Sequence, residues 1–372
     1  MYIERALQKH LREHATDNKA IVVLGARQVG KTTMLRNLLP DAEWYTGDDA
    51  DIRTLFSNTS SLALQNLLGK QSKVVVIDEA QRIENIGVTA KIIIDTLPNI
   101  KLVLSGSSAF ELANKINEPL TGRKWEFTMF PLSFGEMVEH TSLIQEKRQL
   151  EQRLIYGNYP DVVLNPGAKE QILRQLSDAY LYKDILTWEN IQKPEKLERL
   201  LKALAFQAGS LVSYNELAQT SGLNNATVER YINLLEKTFI IFKLGTFTRN
   251  LRNELNKSKK IYFYDNGLRN AIVNDFRPLE NRADKGLLWE NYMIAERMKK
   301  LHYDQVFRNT YFWRTKDQAE IDWIEEGNGA IYAYEFKWSP RKNWKFAASF
   351  KKSYQPQELK TINSENYHEW LI

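Results

Sequence analysis

Ile21-Val22-Val23-Leu24-Gly25-Ala26-Arg27-Gln28-Val29-Gly30-Lys31-Thr32 decides the fold: four apolar residues run into the pattern GxxxxGK[ST]. The apolar run predicts a buried strand. The glycines let the backbone curl so that its N–H groups converge on an anion at the start of the next helix. Strand, loop and helix in that order mark a P-loop for a nucleoside triphosphate. Gly25, Ala26, Arg27, Gln28, Val29, Gly30, Lys31, Thr32 and Thr33 are the expected nucleotide-binding residues. Lys31 would reach the β- and γ-phosphates and the Thr32 hydroxyl would ligate Mg²⁺, so ATP and Mg²⁺ are the expected cofactors.

Working outward, Val74-Val75-Val76-Ile77-Asp78-Glu79 reads as a second buried strand whose carboxyl end delivers Asp78 to the metal. Glu79 beside it is the expected general base for the attacking water. A third strand ends in Leu104-Ser105-Gly106-Ser107-Ser108. Ser107, in preference to Ser105, could sense the γ-phosphate, and a serine capping the next helix explains the same residues equally well. Arg123, just before a strand at Trp125–Phe130, could reach a neighbouring subunit's γ-phosphate as an arginine finger; an ordinary surface arginine is the alternative. A finger in trans implies a homo-oligomer, a ring or hexamer among the arrangements. Apolar strands alternating with helical stretches point to an α/β fold with a parallel sheet covered on both faces. Ile3, Leu7 and Leu11, spaced by four, predict one amphipathic helix over residues 1–20.

The 372 residues exceed one ordinary core and suggest two or three domains. Fifty-one basic against 46 acidic side chains leave +5, which permits a nucleic-acid partner without demanding one. No cysteine is present, which excludes disulfides and thiolate zinc sites. With no apolar signal core and no run long enough to span a bilayer, the expectation is a soluble, cytoplasmic protein without a membrane partner.

Beyond residue 145 the pattern turns helical, with periodic leucines in Ile172–Trp188 and Leu197–Phe206. Leu211-Val212-Ser213-Tyr214-Asn215-Glu216-Leu217-Ala218 opens like a capped helix, Ser221-Gly222-Leu223 turns, and Ala226–Phe239 carries Val228, Tyr231, Leu234 and Leu235 on one face, which is helix–turn–helix spacing. Thr227 and Arg230 would face outward on the helix that could enter a DNA groove. Residues 243–269, with Arg249 and Arg252 among seven basic side chains against Glu254 and Asp265, would neutralise phosphates. Domain packing and a solvated charged face are the alternatives.

Strands are expected at Ile261–Tyr264, Tyr311–Arg314, Ile321–Ile324 and Ile331–Phe336. They carry Asp322 and Glu335-Phe336-Lys337, and strand alternation puts Glu335 and Lys337 on one face. Asp322 and Glu335 could hold Mg²⁺ against a scissile phosphate, Lys337 could stabilise charge or activate water, and Glu290 on the helix Leu287–Lys300 could be an outer ligand. This pattern resembles the restriction-endonuclease-like fold; a relic that keeps the fold and has lost the chemistry is the alternative. Trp338–Lys352, with five basic residues and four aromatics, suits backbone contact and base stacking, or equally packed aromatics with exposed lysines.

Taken together, the chain resembles the AAA-type bacterial and archaeal ATPases that carry a conserved C-terminal domain of unknown function. The resemblance runs through Tyr2-Ile3-Glu4-Arg5, both nucleotide motifs, Gly122-Arg123, Phe130-Pro131-Leu132-Ser133-Phe134, Gly157-Asn158-Tyr159-Pro160, Lys183-Asp184-Ile185 and Tyr264-Asp265-Asn266-Gly267-Leu268. Asn158 stands where the family usually shows a second glycine. The resemblance implies an AAA+ core over residues 1–140, a helical lid or linker over 141–205, a winged-helix middle over 206–260 and a restriction-endonuclease-like end over 261–372. Three functions fit: an ATP-driven motor or switch on DNA, branched forms included; an ATP-regulated nuclease; and a nucleotide-gated protein scaffold.

Overall fold

The computed structural model describes residues 2–69, 74–107, 115–179, 194–248, 259–315, 317–340 and 345–372. Packing divides the chain into two units, Met1–Pro131 with Lys237–Phe239, and Leu132–Glu236 with Ile240–Ile372.

In the first unit the apolar runs form strands: β1 (Ala20–Gly25), β2 (Glu43–Thr46), β3 (Val74–Asp78), β4 (Lys101–Gly106) and β5 (Lys124–Met129). All pair in parallel in the order β2-β3-β4-β1-β5. β1 and β4 are buried along their whole length, as strands covered on both faces must be. β2 forms the edge from the half-buried residues Glu43-Trp44-Tyr45-Thr46, which carry no apolar run. The helix expected over 1–20 is shorter, Leu7–Glu13. Ile3 is buried like Leu7 and Leu11, but it precedes the helix. The Arg5 N–H is taken by the Gln8 side chain instead of starting a further turn.

The second unit opens with helices. Ser133 and Glu136 form a reciprocal capping box at Phe134–His140. Shorter helices lead to Lys169–Ala179 and Pro194–Phe206. Then come β6 (Leu211–Val212), helices Tyr214–Ser221 and Asn225–Lys237, β7 (Ile241–Thr246) and β8 (Lys259–Phe263). The helix Lys285–Tyr303 precedes β9 (Asn309–Arg314), β10 (Glu320–Gly327) and β11 (Ala330–Phe336); helix Ala348–Tyr354 leads to β12 (Glu358–Ile362). One seven-stranded mixed sheet runs β12-β11-β10-β9-β7-β8-β6. The segments 206–260 and 261–372 thus share a sheet, joined where β7 pairs in parallel with β9.

Two of the quoted motifs meet in this unit. Asp265 caps helix Asn266–Val273 through the Leu268 N–H, and its other oxygen accepts the Asn158 N–H at 2.7 Å. Asn266 and Asn270 donate to the Leu154 and Ile155 carbonyls, so buried amides satisfy the end of helix Leu150–Tyr156. The approach is close: a Cβ on Gly267 would stand 2.0 Å from the Tyr156 carbonyl oxygen. Gly267→Ala is therefore expected to lose about 1–3 kcal/mol by overpacking. At roughly 2–4 °C per kcal/mol for a unit of this size, calorimetry should record a midpoint several degrees lower; an unchanged midpoint would contradict the contact.

Candidate functional site

At the carboxyl ends of β1, β3 and β4 the parallel sheet gathers the nucleotide motifs. A Cβ on Gly25 would lie 2.1 Å from the Met129 carbonyl oxygen on the paired strand β5, so only glycine lets β1 end in this register. Gly30, with φ of 93°, turns the loop into helix Lys31–Leu38. A cleft of about 320 Å³ opens over this turn, lined by Arg27, Gln28, Gly30, Lys31, Thr32 and Thr33 on one side and Asp48, Glu79 and Arg82 on the other. The Lys31 ammonium donates to the Gly25 and Ala26 carbonyls at 2.8 Å each.

Asp78 ends β3 and is buried. One of its oxygens accepts the Thr32 hydroxyl at 2.7 Å; the other accepts the Glu79 N–H at 3.1 Å and the Ser105 hydroxyl. Glu79 adopts φ of 48°, a left-handed conformation that costs about 1–3 kcal/mol away from glycine. Its Oε2 accepts the Gln81 amide at 2.6 Å and the Ser107 hydroxyl at 3.2 Å. The two serines of β4 and its following turn therefore serve different acids, Ser105 on Asp78 and Ser107 on Glu79. The capping alternative concerns residues 108–114, outside the described residues.

Sequence reasoning gave Gln81 and Arg5 no role here and ranked Ser105 behind Ser107. Gln81 bridges Glu79 and Ser107. Arg5, buried, donates to the Val29 carbonyl in the loop and to the Phe130 carbonyl after β5. Buried, such a charge must find acceptors, and that burial is visible only in the structure. Arg123 sits at the opposite end of the sheet: it directly precedes β5, and its Nε pairs with Asp95 at 2.8 Å.

In the second unit the expected carboxylates converge. Asp322 (β10) and Glu335 (β11) are buried. Asp322 accepts the Phe336 N–H at 2.8 Å, and Lys337 donates to Glu335 Oε1 at 2.6 Å. Glu290, on helix Lys285–Tyr303, accepts the Tyr262 hydroxyl at 2.7 Å and Lys260 at 3.1 Å. Lys260 pairs with Glu320 as well. Burial, then Glu290 and Glu335, push the Asp322 carboxyl well up; burial lifts Glu335 to about 7 against the pull of Lys337. For Lys260 burial acts downward, but Glu290, Asp322 and Glu320 outweigh it and hold the ammonium charged. Among the described residues no three His, Cys, Asp or Glu side chains are grouped so as to hold a metal ion.

On helix Asn225–Lys237 the apolar face Val228, Tyr231, Leu234 and Leu235 is buried, Arg230 is exposed and Thr227 half-buried. Arg249 and Arg252 lie outside the described residues. Of the aromatics in 338–352, Phe350 is fully buried against Trp313 and Trp338 packs edge-on to Trp289, so these two serve the core. Among the described residues no helix is long and apolar enough to cross a membrane.

Residues 17–138 match the AAA domain family, residues 147–279 a domain of unknown function (DUF8612) and residues 285–367 another (DUF4143). The chain is 26% identical to an uncharacterized protein of Mycobacterium tuberculosis over 350 residues, covering 91% of this chain and 74% of that one. It is 27% identical over 239 residues to an uncharacterized protein of Haemophilus influenzae, covering 61% and 56% of the two chains. A Walker-type ATPase of Pyrococcus abyssi superposes with a TM-score of 0.48 at 16% identity, covering 73% of this chain and 96% of that one. The N-terminal unit is an AAA-type ATPase domain, followed by domains of unknown function, and the protein is an ATP hydrolase.

The raised Glu335 carboxyl sets a pH dependence. An acid that titrates near 7 when folded and near 4.5 when unfolded favours folding fully below about 4.5 and loses that contribution as pH rises through 7. Glu335→Gln removes this titration, and urea unfolding of the full chain between pH 5 and 8 should show a shallower fall in stability than wild type. An identical pH slope would contradict the burial of an ionisable carboxyl there.

Proposed function

We propose that this ATPase works with Mg²⁺, takes its base from Glu79 and couples hydrolysis to DNA contact through its C-terminal half. The observation that carries the catalytic part is the pair of adjacent acids at the end of β3, each held by its own hydroxyl partners. A hard divalent ion fits the Thr32 hydroxyl and Asp78 carboxylate, both oxygen donors already at hydrogen-bond distance. When bound, that ion would neutralise charge on the phosphate oxygens. Lys31 exchanges its two loop carbonyls for the β- and γ-phosphates, whose negative charge outcompetes neutral acceptors. The backbone N–H groups at the start of helix Lys31–Leu38 orient the same phosphates. Glu79 accepts the proton of the attacking water, while Ser107 and Gln81 hold its carboxylate in line; Ser107 is then the residue that senses the γ-phosphate.

Arg123 fits a finger only in trans. β5 separates it from the loop end of the sheet by six residues, roughly 20 Å at about 3.3 Å per residue, farther than an arginine reaches. A homo-oligomer, such as a ring, would supply the neighbour.

The DNA reading is supported by element order. Helix Pro194–Phe206, β6, helices Tyr214–Ser221 and Asn225–Lys237, β7 and β8 come in an order that supports a winged-helix reading, with β8 antiparallel to both β6 and β7. Ser213 caps the first helix of the motif and left-handed Gly222 ends it. Arg230 on the second is exposed for a phosphate.

Lys31→Ala should abolish tight ATP binding, whereas Glu79→Gln should keep binding and lose turnover by two or more orders of magnitude, as general-base loss typically gives about 10²–10⁴-fold. Normal turnover in Glu79→Gln would refute the base. Single-stranded, duplex and branched DNA should stimulate the ATPase rate, with stimulation that falls steeply with salt. Equal rates with and without DNA, and no DNA retention at low salt, would refute the coupling and favour a nucleotide-gated scaffold.

A further inference from the structure

The restriction-endonuclease-like resemblance implies a divalent metal held by Asp322, Glu335 and Glu290, and the residues present do not fit one. We propose that Lys260 is a built-in cation standing in for that metal, so that the centre is a metal-free electrostatic clamp and does not cut phosphodiesters. The ammonium donates to Glu290 Oε1 at 3.1 Å and pairs with Glu320, the residue two before Asp322 on the same strand. That Glu290 oxygen is held twice, since the same Oε1 also accepts the Tyr262 hydroxyl.

Lys260 has nowhere else to go. It is 2% exposed, and its strand is hydrogen-bonded on both sides, Lys260 standing opposite Leu211 of β6 and Leu244 of β7. Swinging the side chain away would bury an unpaired ammonium and strand two carboxylates. A divalent ion entering among these acids would meet a fixed like charge on the carboxylate it needs. The contacts that exclude a metal also build the unit: Lys260 on β8 reaches helix Lys285–Tyr303 and β10, fastening the β6–β8 end of the sheet to the four strands that follow.

The remaining acids agree with this reading. Asp322 Oδ2 accepts the Phe336 N–H, and Glu335 Oε1 accepts the Lys337 ammonium. Glu335 Oε2 is buried without a hydrogen-bond partner. An ionised carboxylate tolerates that position poorly and a protonated one tolerates it well.

The test is Mn²⁺ binding to the nucleotide-free full chain, read by electron paramagnetic resonance, in wild type, Asp322→Asn, Lys260→Met and the Lys260→Met/Asp322→Asn double variant. Leaving out nucleotide keeps the result independent of the P-loop reading, which can fail without touching it. Wild type and Asp322→Asn are expected to bind Mn²⁺ identically, and wild type should leave supercoiled plasmid intact in Mg²⁺ or Mn²⁺. Lys260→Met is expected to gain one Mn²⁺ per chain, at least tenfold tighter than any wild-type background, and Asp322→Asn should remove it. A wild-type Mn²⁺ site that Asp322→Asn abolishes, or plasmid nicking that requires Glu335, overturns the proposal. So does a folded Lys260→Met chain that gains no site. Should Lys260→Met not fold, the wild-type comparison alone decides.

Discussion

Through one oxygen the Asp78 carboxylate accepts the Thr32 hydroxyl, and through the other it accepts the Ser105 hydroxyl. Three strand ends that are far apart in the chain are thereby drawn to one edge: the P-loop after β1, the acid pair after β3 and the serines of β4. The parallel order makes this possible, because β4 lies directly between β1 and β3. Each carboxyl end then faces the same side, where α/β sheets bind ligands. Arg5 braces this edge by tying the P-loop to the residue after β5. Glu79 departs from the strand in a strained left-handed turn, and its fixed partners Gln81 and Ser107 hold the carboxylate in place.

The second unit relies on buried charge. Glu296 and Lys299 pair in the interior, and Arg269 and Arg282 converge on Asp284. Removing one partner from such a pair typically costs about 3–5 kcal/mol, whereas an apolar replacement of the whole pair can be neutral. Lys260 belongs to the same design. Its three acidic neighbours, Glu290, Glu320 and Asp322, lie on a helix and one strand, so a single ammonium ties β8 to both.

What was legible in the sequence follows from how local each signal is. The P-loop is a short, contiguous pattern in a required context, and Val74–Ile77 is an apolar run that only a doubly covered strand explains. β2 and β12 escaped because Glu43-Trp44-Tyr45-Thr46 and Glu358-Leu359-Lys360-Thr361-Ile362 are edge strands with mixed polarity, at the two ends of their sheets. A capped helix within Leu211–Ala218, the turn at Gly222 and the shared face of Val228, Tyr231, Leu234 and Leu235 were readable from spacing. Ser105, Gln81 and Arg5 were not, since their partners are set by tertiary contact; Arg5 reaches a carbonyl 125 residues away. Glu290, Asp322, Glu335 and Lys337 were picked out by alternation, yet Lys260 changes what they can do. It lies 30 residues before Glu290, and its one sequence sign is its place as the second of two lysines, Lys259-Lys260, leading the apolar run Ile261-Tyr262-Phe263.

The central claim is that the loop Gly25–Thr32 takes a nucleoside triphosphate whose metal is held through Thr32 and Asp78. Equilibrium binding of a fluorescent ATP analogue to the purified full chain, with and without Mg²⁺, tests it most directly when repeated on Thr32→Ala. The account predicts binding to wild type that tightens with Mg²⁺, and a Thr32→Ala chain that loses the magnesium-dependent part. A folded wild-type chain with no affinity for ATP in Mg²⁺, or with affinity indifferent to the metal, would contradict it.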